Sequence, residues 1–148
     1  MQVVVFKIGR EEYGFPIESV KEIVLLQKRT SMPNMPEFFE GIVNLRGTVI
    51  PVMNLAEKFS LLGGEQTDEK DGKLIVLNLE NEKKVAIRAD EVSEILTVKE
   101  ADLEAPPDVF GNRNESYISN VIKYNERLII VLDSSRLISQ KILDEIEI

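Results

Sequence analysis

The chain contains no histidine and no cysteine, and those two absences remove most familiar side-chain chemistry at once. Without either residue there is no structural zinc site of the usual nitrogen–sulfur kind. Nor is there a Ser-His-Asp or Cys-His catalytic arrangement. Disulfides and thiol chemistry go with the cysteines, in keeping with a reducing compartment. An enzyme built from these residues would have to work with carboxylates, lysines or a hard metal bound by oxygen. Positive charge is scarce as well: 18 Lys and Arg stand against 26 Asp and Glu, a net charge of −8. Nucleic acid rewards a basic surface through counterion release, and anionic lipid rewards one by attraction, so both are disfavoured as partners. Aromatic residues make up only 6% of the chain, too few for the stacking platforms of a single-strand binder. The longest apolar runs, such as Leu128 to Leu132, fall far short of the ~20 residues that span a bilayer. Met1-Gln2-Val3-Val4-Val5 lacks the basic region and small-residue cleavage site of a signal peptide. The expectation is a cytoplasmic protein that partners other proteins or small molecules.

What the chain does contain is a succession of short, β-branched apolar runs. Of its 148 residues, 43% are hydrophobic and 30% charged, ordinary for a globular protein and enough to bury a core without staples. The stretch from Gly41 through Ile42-Val43-Asn44-Leu45-Arg46-Gly47-Thr48-Val49-Ile50-Pro51-Val52-Met53-Asn54 to Leu55 reads as two such runs folded at Arg46-Gly47. Glycine there adopts the positive φ that a tight hairpin needs. Pro51 has no backbone donor, so the second run is expected to have an unpaired edge or a bulge at that point. Arg46 is a large cation at the hairpin tip, and the turn alone explains it as well by solvation as by function.

Around this hairpin the chain repeats a plan. Val3 to Ile8, Tyr13 to Ile17 and Val20 to Leu26 read as strands separated by turns at Gly9 to Glu12 and Glu18-Ser19. A loop with Pro33 and Pro36 leads into the hairpin, Ala56 to Phe59 makes one helical turn, and Gly63-Gly64 with the polar run Glu65 to Lys73 forms a linker. Leu74 to Leu79 then answers Val3 to Ile8 at an offset of 71, and Val85 to Leu96 answers Tyr13 to Val24 at an offset of 72. The proline loop recurs at Ala105-Pro106-Pro107, and Val121 to Asp133 lies over Ile42 to Asn54 at an offset of 79. Segments recurring in one order point to a duplication. Short strands separated by turns in each half fit two small, closed β-barrels. The expected class is therefore mainly all-β: two repeated five-stranded lobes and a short C-terminal helix carrying Leu137, Ile138, Ile142 and Ile146. The expected bounds are approximately 1–60 for the first lobe, 61–73 for the linker, 74–133 for the second lobe and 134–148 for the helix. An exchange of strands between the lobes is left open.

Asn44-Leu45-Arg46-Gly47 followed by Val49-Ile50-Pro51-Val52 resembles the signature of the CheW family, the bacterial chemotaxis coupling proteins. The resemblance extends over nearly the whole chain. Tyr13-Gly14-Phe15-Pro16-Ile17 with Val20-Lys21-Glu22-Ile23, and Pro36-Glu37-Phe38 through Gly41, are similar to its first-lobe patterns. Ala89 to Ile95 and Arg127 to Asp133 are similar to its second-lobe strands. Membership implies a single domain over 1–148 whose lobes are SH3-like barrels, and a scaffold without catalytic activity or cofactor. It implies a cytoplasmic monomer that joins arrays. There it links the tips of methyl-accepting chemoreceptors to the regulatory domain of the histidine kinase CheA, which has the same fold. One lobe would pair with that domain, and the groove between the lobes would take the receptor hairpin. Arg46 and Glu22 match motif positions on which coupling depends, and Val20, Gly41 and Ile95 match neighbouring positions implicated in partner contact.

The residue types suit those roles, with alternatives beside them. An arginine offers a planar, permanently charged fork to carboxylates or carbonyls across an interface. Glu22 either meets a partner or pairs with Arg46 inside the lobe. Val20 and Ile95 are equally at home in a core, and Gly41 serves backbone geometry. Three positions depart from the family pattern: Asn54 where aspartate is common, Ser119-Asn120 in place of a glycine, and Glu91 in place of another. The rival readings are a CheV-type coupling domain, an isolated CheA regulatory domain and, remotely, a β-barrel nucleic-acid binder. Carboxylate pairs at Asp68-Glu69, Asp90-Glu91 and Asp144-Glu145 sit in a linker, a turn and a tail, with no nucleophile placed against them.

Overall fold

The structure is a computed structural model that describes residues 1–59, 72–106 and 117–146. The alternating and β-branched runs become strands where the sequence places them. β1 (Gln2–Ile8) and β2 (Glu11–Pro16) form a hairpin turned at Gly9-Arg10, and β3 (Val20–Leu25) follows a single 3-10 turn. β4 (Phe39–Leu45) and β5 (Thr48–Met53) form the Arg46-Gly47 hairpin, and α1 (Leu55–Lys58) is one turn capped by Asn54, whose Oδ1 accepts from the Glu57 N–H. After 60–71, which fall outside the described residues with most of the expected linker, come β6 (Lys73–Asn78), β7 (Lys84–Ala89) and β8 (Glu91–Thr97). The two-residue β9 (Leu103–Glu104) precedes 107–116, also outside them, where Pro107 of the second proline loop lies. β10 (Ile118–Tyr124) and β11 (Arg127–Leu132) form the last hairpin. The C-terminal segment is two short helices rather than one, α2 (Ser134–Leu137) and α3 (Gln140–Glu145), broken at Ile138-Ser139.

Two sheets result, with strand orders β8-β1-β2-β11-β10-β9 and β3-β6-β7-β5-β4. The repeat units match strand for strand: β1 with β6, β2 with β7, β3 with β8, β4 with β10 and β5 with β11. Yet each sheet combines the first two strands of one repeat with the last three of the other. A continuous lobe therefore runs from β3 to β7, while a split lobe is made of β1, β2 and β8 to β11. Residues 60–71 join α1 to β6, so they connect elements of the continuous lobe and do not lead from one lobe to the other. The chain passes between lobes at Ile17–Ser19 and at Asp90. Equivalent contacts bring the sheet ends together. Thr30 exchanges two 2.9 Å backbone hydrogen bonds with Ile42 of β4, and Glu104 pairs with Val121 of β10 at the repeat-equivalent place.

Three apolar clusters follow from this arrangement. Val3, Val5, Ile122, Ile129 and Val131 fill the split lobe. Val43, Ile50, Val52, Leu74 and Val76 fill the continuous lobe. The largest cluster is the seam between them, where Phe6, Tyr13 and Phe15 meet Met53, Ile75, Leu77 and Ile87, with Leu137 and Ile138 at its margin. Strands buried on both faces read as unbroken apolar runs, as Val3-Val4-Val5-Phe6 and Leu74-Ile75-Val76-Leu77 do. Burial in the seam pushes the Tyr13 phenol up to about 12.

Pro51 lies in an inner strand, not on an edge. Its partner Ile42 turns its N–H and C=O to Thr30, and pairing of β5 with β7 begins only at Val52. The missing donor is therefore placed where no ladder bond is asked of it.

Candidate partner-binding site

The β4–β5 turn has positive φ at both central residues, 53° at Arg46 and 89° at Gly47, as a primed hairpin turn requires. Asn44 locks it: its Oδ1 accepts a 2.8 Å hydrogen bond from the Gly47 N–H. An arginine in the left-handed region is unusual and costs backbone strain, so its place at the tip calls for a compensating interaction.

That interaction is Glu22. One Arg46 terminal nitrogen, Nη2, donates to both carboxylate oxygens of Glu22 at 2.7 and 2.6 Å. Glu22 stands on β3, at the opposite end of the sheet order from β4. The pair therefore spans the rolled sheet at one mouth of the barrel. Hydrogen bonding to Arg46, and then its charge, holds the Glu22 carboxyl below the ordinary carboxylate range, and Glu22 in turn raises Arg46. The Arg46 side chain is 67% exposed and that of Glu22 25%. A guanidinium this open keeps donors free for a second acceptor while Glu22 fixes its direction.

The remaining expected site residues are distributed differently. Val20 begins β3 and is half-buried against the seam cluster. Gly41 is buried at a bulge in β4, with φ of 142°, and a Cβ there would lie 2.6 Å from the Thr30 carbonyl oxygen. Ile95 belongs to the split lobe, on β8, and is 55% exposed. Arg46 and Glu22 touch, Val20 and Gly41 support their strands, and Ile95 stands on the other lobe.

Sequence reasoning missed a second constellation. Arg127 forks onto Glu12, Nε to Oε2 at 3.1 Å and Nη2 to Oε1 at 2.7 Å, while its Nη1 reaches Glu94 Oε1 at 3.1 Å. Glu94 is the repeat equivalent of Glu22. Arg127 is equivalent to Thr48 and not to Arg46, so the same arginine–glutamate pair is rebuilt from the other side of the turn. Glu12 is held below the usual carboxylate range chiefly by its hydrogen bonds with Arg127, whose own proton is bound more tightly in return. The exposed apolar residues obey the same symmetry. Ile23 at 38% and Val49 at 39% correspond to Ile95 at 55% and Leu128 at 60%. The offsets of 72 and 79 lead from Glu22 to Glu94 and from Ile23 and Val49 to Ile95 and Leu128, but from Arg46 to Asn125 and not to Arg127.

The departures from the family pattern have local consequences. Asn54 is 7% exposed, and its Nδ2 donates over 3.4 Å to Glu40 Oε2. Glu40 also takes Arg88 Nη1 on Oε2 and faces Arg29 Nε from Oε1, both at 3.1 Å. Asn120, the equivalent of Gly41, keeps the β10 bulge without a positive φ. Glu91 opens β8 opposite Lys7. Of the carboxylate pairs, Asp90 accepts the Gly9 N–H at 2.6 Å and Asp144 accepts from Gln140 at 2.8 Å. Asp68-Glu69 lies outside the described residues.

Comparison with known proteins adds relatives over nearly the whole length. The family model for the CheW-like domain matches residues 2–141. The chain is 37% identical over 147 residues to the chemotaxis protein CheW of Treponema pallidum, covering 98% of this chain and 86% of that protein. It is 30% identical over 140 residues to the chemotaxis protein CheW of Klebsiella aerogenes, covering 95% and 82%. Among solved structures, the scaffolding protein TtCheW from Thermoanaerobacter tengcongensis superposes with a TM-score of 0.77 at 33% identity, over 88% of this chain and 82% of that one.

Proposed function

The chain belongs to the CheW family of chemotaxis scaffold proteins, and from that membership we propose that it bridges two protein partners through one surface on each lobe. The partners are the regulatory domain of the kinase CheA and the tips of methyl-accepting chemoreceptors. It acts without catalysis, as a single domain over the whole chain, on the cytoplasmic face of receptor arrays and held there by its partners. No described helix is long and apolar enough to cross a membrane.

The observation that carries this reading is the duplication of the surface. An adaptor needs two docking sites, and each lobe here presents an arginine–glutamate pair with two exposed aliphatic side chains nearby in the chain. Exposed aliphatics and arginine are the usual anchors of an interface. On the continuous lobe Arg46 is the contact residue, and Glu22 positions it. Val20 and Gly41 hold β3 and β4 in register beneath the pair. On the split lobe Ile95 is the apolar contact. Modest affinity at each surface is raised by avidity when many copies sit in one array.

The test is binding of purified wild type, Arg46→Ala, Glu22→Ala and Ile95→Asp to a CheA regulatory domain and to a receptor tip fragment. Circular dichroism checks that each variant folds. Folded Arg46→Ala loses one partner, and folded Ile95→Asp loses binding on the other lobe. Folded wild type that binds neither partner overturns the proposal. Arg46→Ala that fails to fold places the residue in the barrel and not at an interface.

A further inference from the structure

The C-terminal segment is anchored in two unequal parts. In α2 and the residue after it, Leu137 and Ile138 are 1% and 2% exposed and belong to the seam. The Asp133 N–H donates to the Tyr117 carbonyl at 2.8 Å, and Asp133 Oδ1 caps the helix. This part is fixed to the body by both packing and hydrogen bonds.

Beyond the break at Ser139 the attachment changes. Among residues 139–146 every hydrogen bond is internal to the segment. Leu143 and Ile146 donate backbone N–H groups to Ser139 and Leu143, the Ile142 N–H meets Ser139 Oγ at 3.4 Å, and Gln140 bonds Asp144. Among the described residues, no hydrogen bond or ion pair ties α3 to either lobe. Leu143 is its one buried residue, with Ile142 half-buried beside it.

The packing around α3 is open. An open groove of about 210 Å³ separates it from Thr48, Val49 and Pro51 of β5 and from the β6–β7 turn at Lys83-Lys84. Another, of about 340 Å³, separates it from the loop of Met32, Pro33, Met35 and Pro36. Ile146 lines both. Both spaces open to solvent, so on these two sides α3 lies over surface grooves and not against the close packing of an interior. A helix too short to hold itself together in water is thus seated by one buried leucine between two open grooves.

We propose that α3 is a strap that swings out about Ser139 without unfolding of the lobes. In swinging out it widens access to Pro51 on the flank of the β4–β5 hairpin, next to the already exposed Val49. The motion rests on the geometry alone; its bearing on partner binding at that hairpin rests on the coupling role proposed above. Closed, the strap restricts a partner to the hairpin tip, and open, it lets the partner reach the strand behind it.

The absence of native cysteine makes the motion measurable in the full chain. Leu143→Cys and Leu137→Cys, both in the seam cluster, are labelled with an aromatic disulfide reagent at urea concentrations below the unfolding transition. The expected result is labelling at position 143 at least about 100-fold faster than at 137, with a weak urea dependence that reports little newly exposed surface. Equal rates with the same steep urea dependence overturn the strap, because α3 would then open only with the whole molecule. Leu143→Asp supplies a second reading. A strap forced open leaves a folded protein whose Tm stays within a few degrees of wild type and which binds more of an apolar dye. Cooperative unfolding of that variant overturns the proposal. With Leu143→Asp folded, tighter binding to the partner engaged by Arg46 supports the link to the hairpin. Unchanged binding refutes that link, and loss of binding by wild type itself refutes the coupling role instead.

Discussion

Gly41→Ala is expected to destabilise the protein before it affects any partner. The added methyl lies 2.6 Å from the Thr30 carbonyl oxygen and 3.1 Å from its carbonyl carbon, inside the 3.0 Å limit that real Cβ atoms respect in the first case. Both atoms are backbone, so no side chain can step aside. The φ of 142° adds strain for any residue with a Cβ, about 1–3 kcal/mol. Relief requires Thr30 to retreat, which loosens the two 2.9 Å bonds it exchanges with Ile42, each worth about 1 kcal/mol net. That strain, with about half of the roughly 2 kcal/mol from the two loosened bonds, comes to about 2–4 kcal/mol, a large share of the roughly 5–15 kcal/mol that holds a domain together. At about 2–4 °C per kcal/mol for a chain near this size, Tm falls by roughly 5–15 °C. Urea denaturation and a thermal melt followed by circular dichroism measure it directly. An unchanged Tm together with lost partner binding would refute the reasoning, because Gly41 would then act at the interface and not through the backbone.

Other perturbations have equally definite outcomes. Glu40→Ala strands the guanidinium of Arg88, only 10% exposed, takes one partner from Arg29, and is expected to cost about 2–4 kcal/mol in urea titrations; a loss below about 1 kcal/mol would mean that other groups neutralise Arg88. Because Glu12 has its pKa depressed in the folded state by Arg127, it contributes stability that is present above its unfolded value of about 4.5 and lost as pH falls through the folded value. Glu12→Gln should therefore flatten the acid limb of stability against pH, and an unaltered slope would show that the pair does not contribute. A chain cleaved within 60–71 is expected to stay together on gel filtration and separate in urea, because β6 and β7 lie between β3 and β5 of one sheet. Separation of the pieces in native buffer would contradict that strand order.

Much of this was legible in the sequence, and the misses have physical causes. Strand periodicity, the Arg46-Gly47 turn and the repeat offsets follow from local backbone preference, which the residues carry themselves. The pairing of Arg46 with Glu22 stayed open because two strands at opposite ends of a sheet meet only when the sheet rolls. Which hairpin joins which lobe is equally invisible, since equivalent strands in a duplicated chain carry equivalent apolar patterns and neither assignment buries less. The break at Ile138-Ser139 was hidden because Leu137, Ile138, Ile142 and Ile146 keep helical spacing across it. Arg127 was overlooked for the opposite reason: it is displaced from the place where strict repetition puts its counterpart.

The two crossings between the lobes constrain how they move. One leaves β2 at Pro16, opposite Val3 near the start of β1, and the other returns at Asp90, whose N–H bonds the Lys7 carbonyl near the end of β1. At about 3.3 Å per residue these tethers stand roughly 13 Å apart along one strand. Two pivots on a line define an axle. The lobes are hung like a door on two hinges, so the tethers allow movement only about the direction of β1, and the buried seam opposes even that. A shift imposed on one lobe must then reach the other as a rotation of fixed axis, and the aromatic stack of Phe6, Tyr13 and Phe15 is the surface against which it turns.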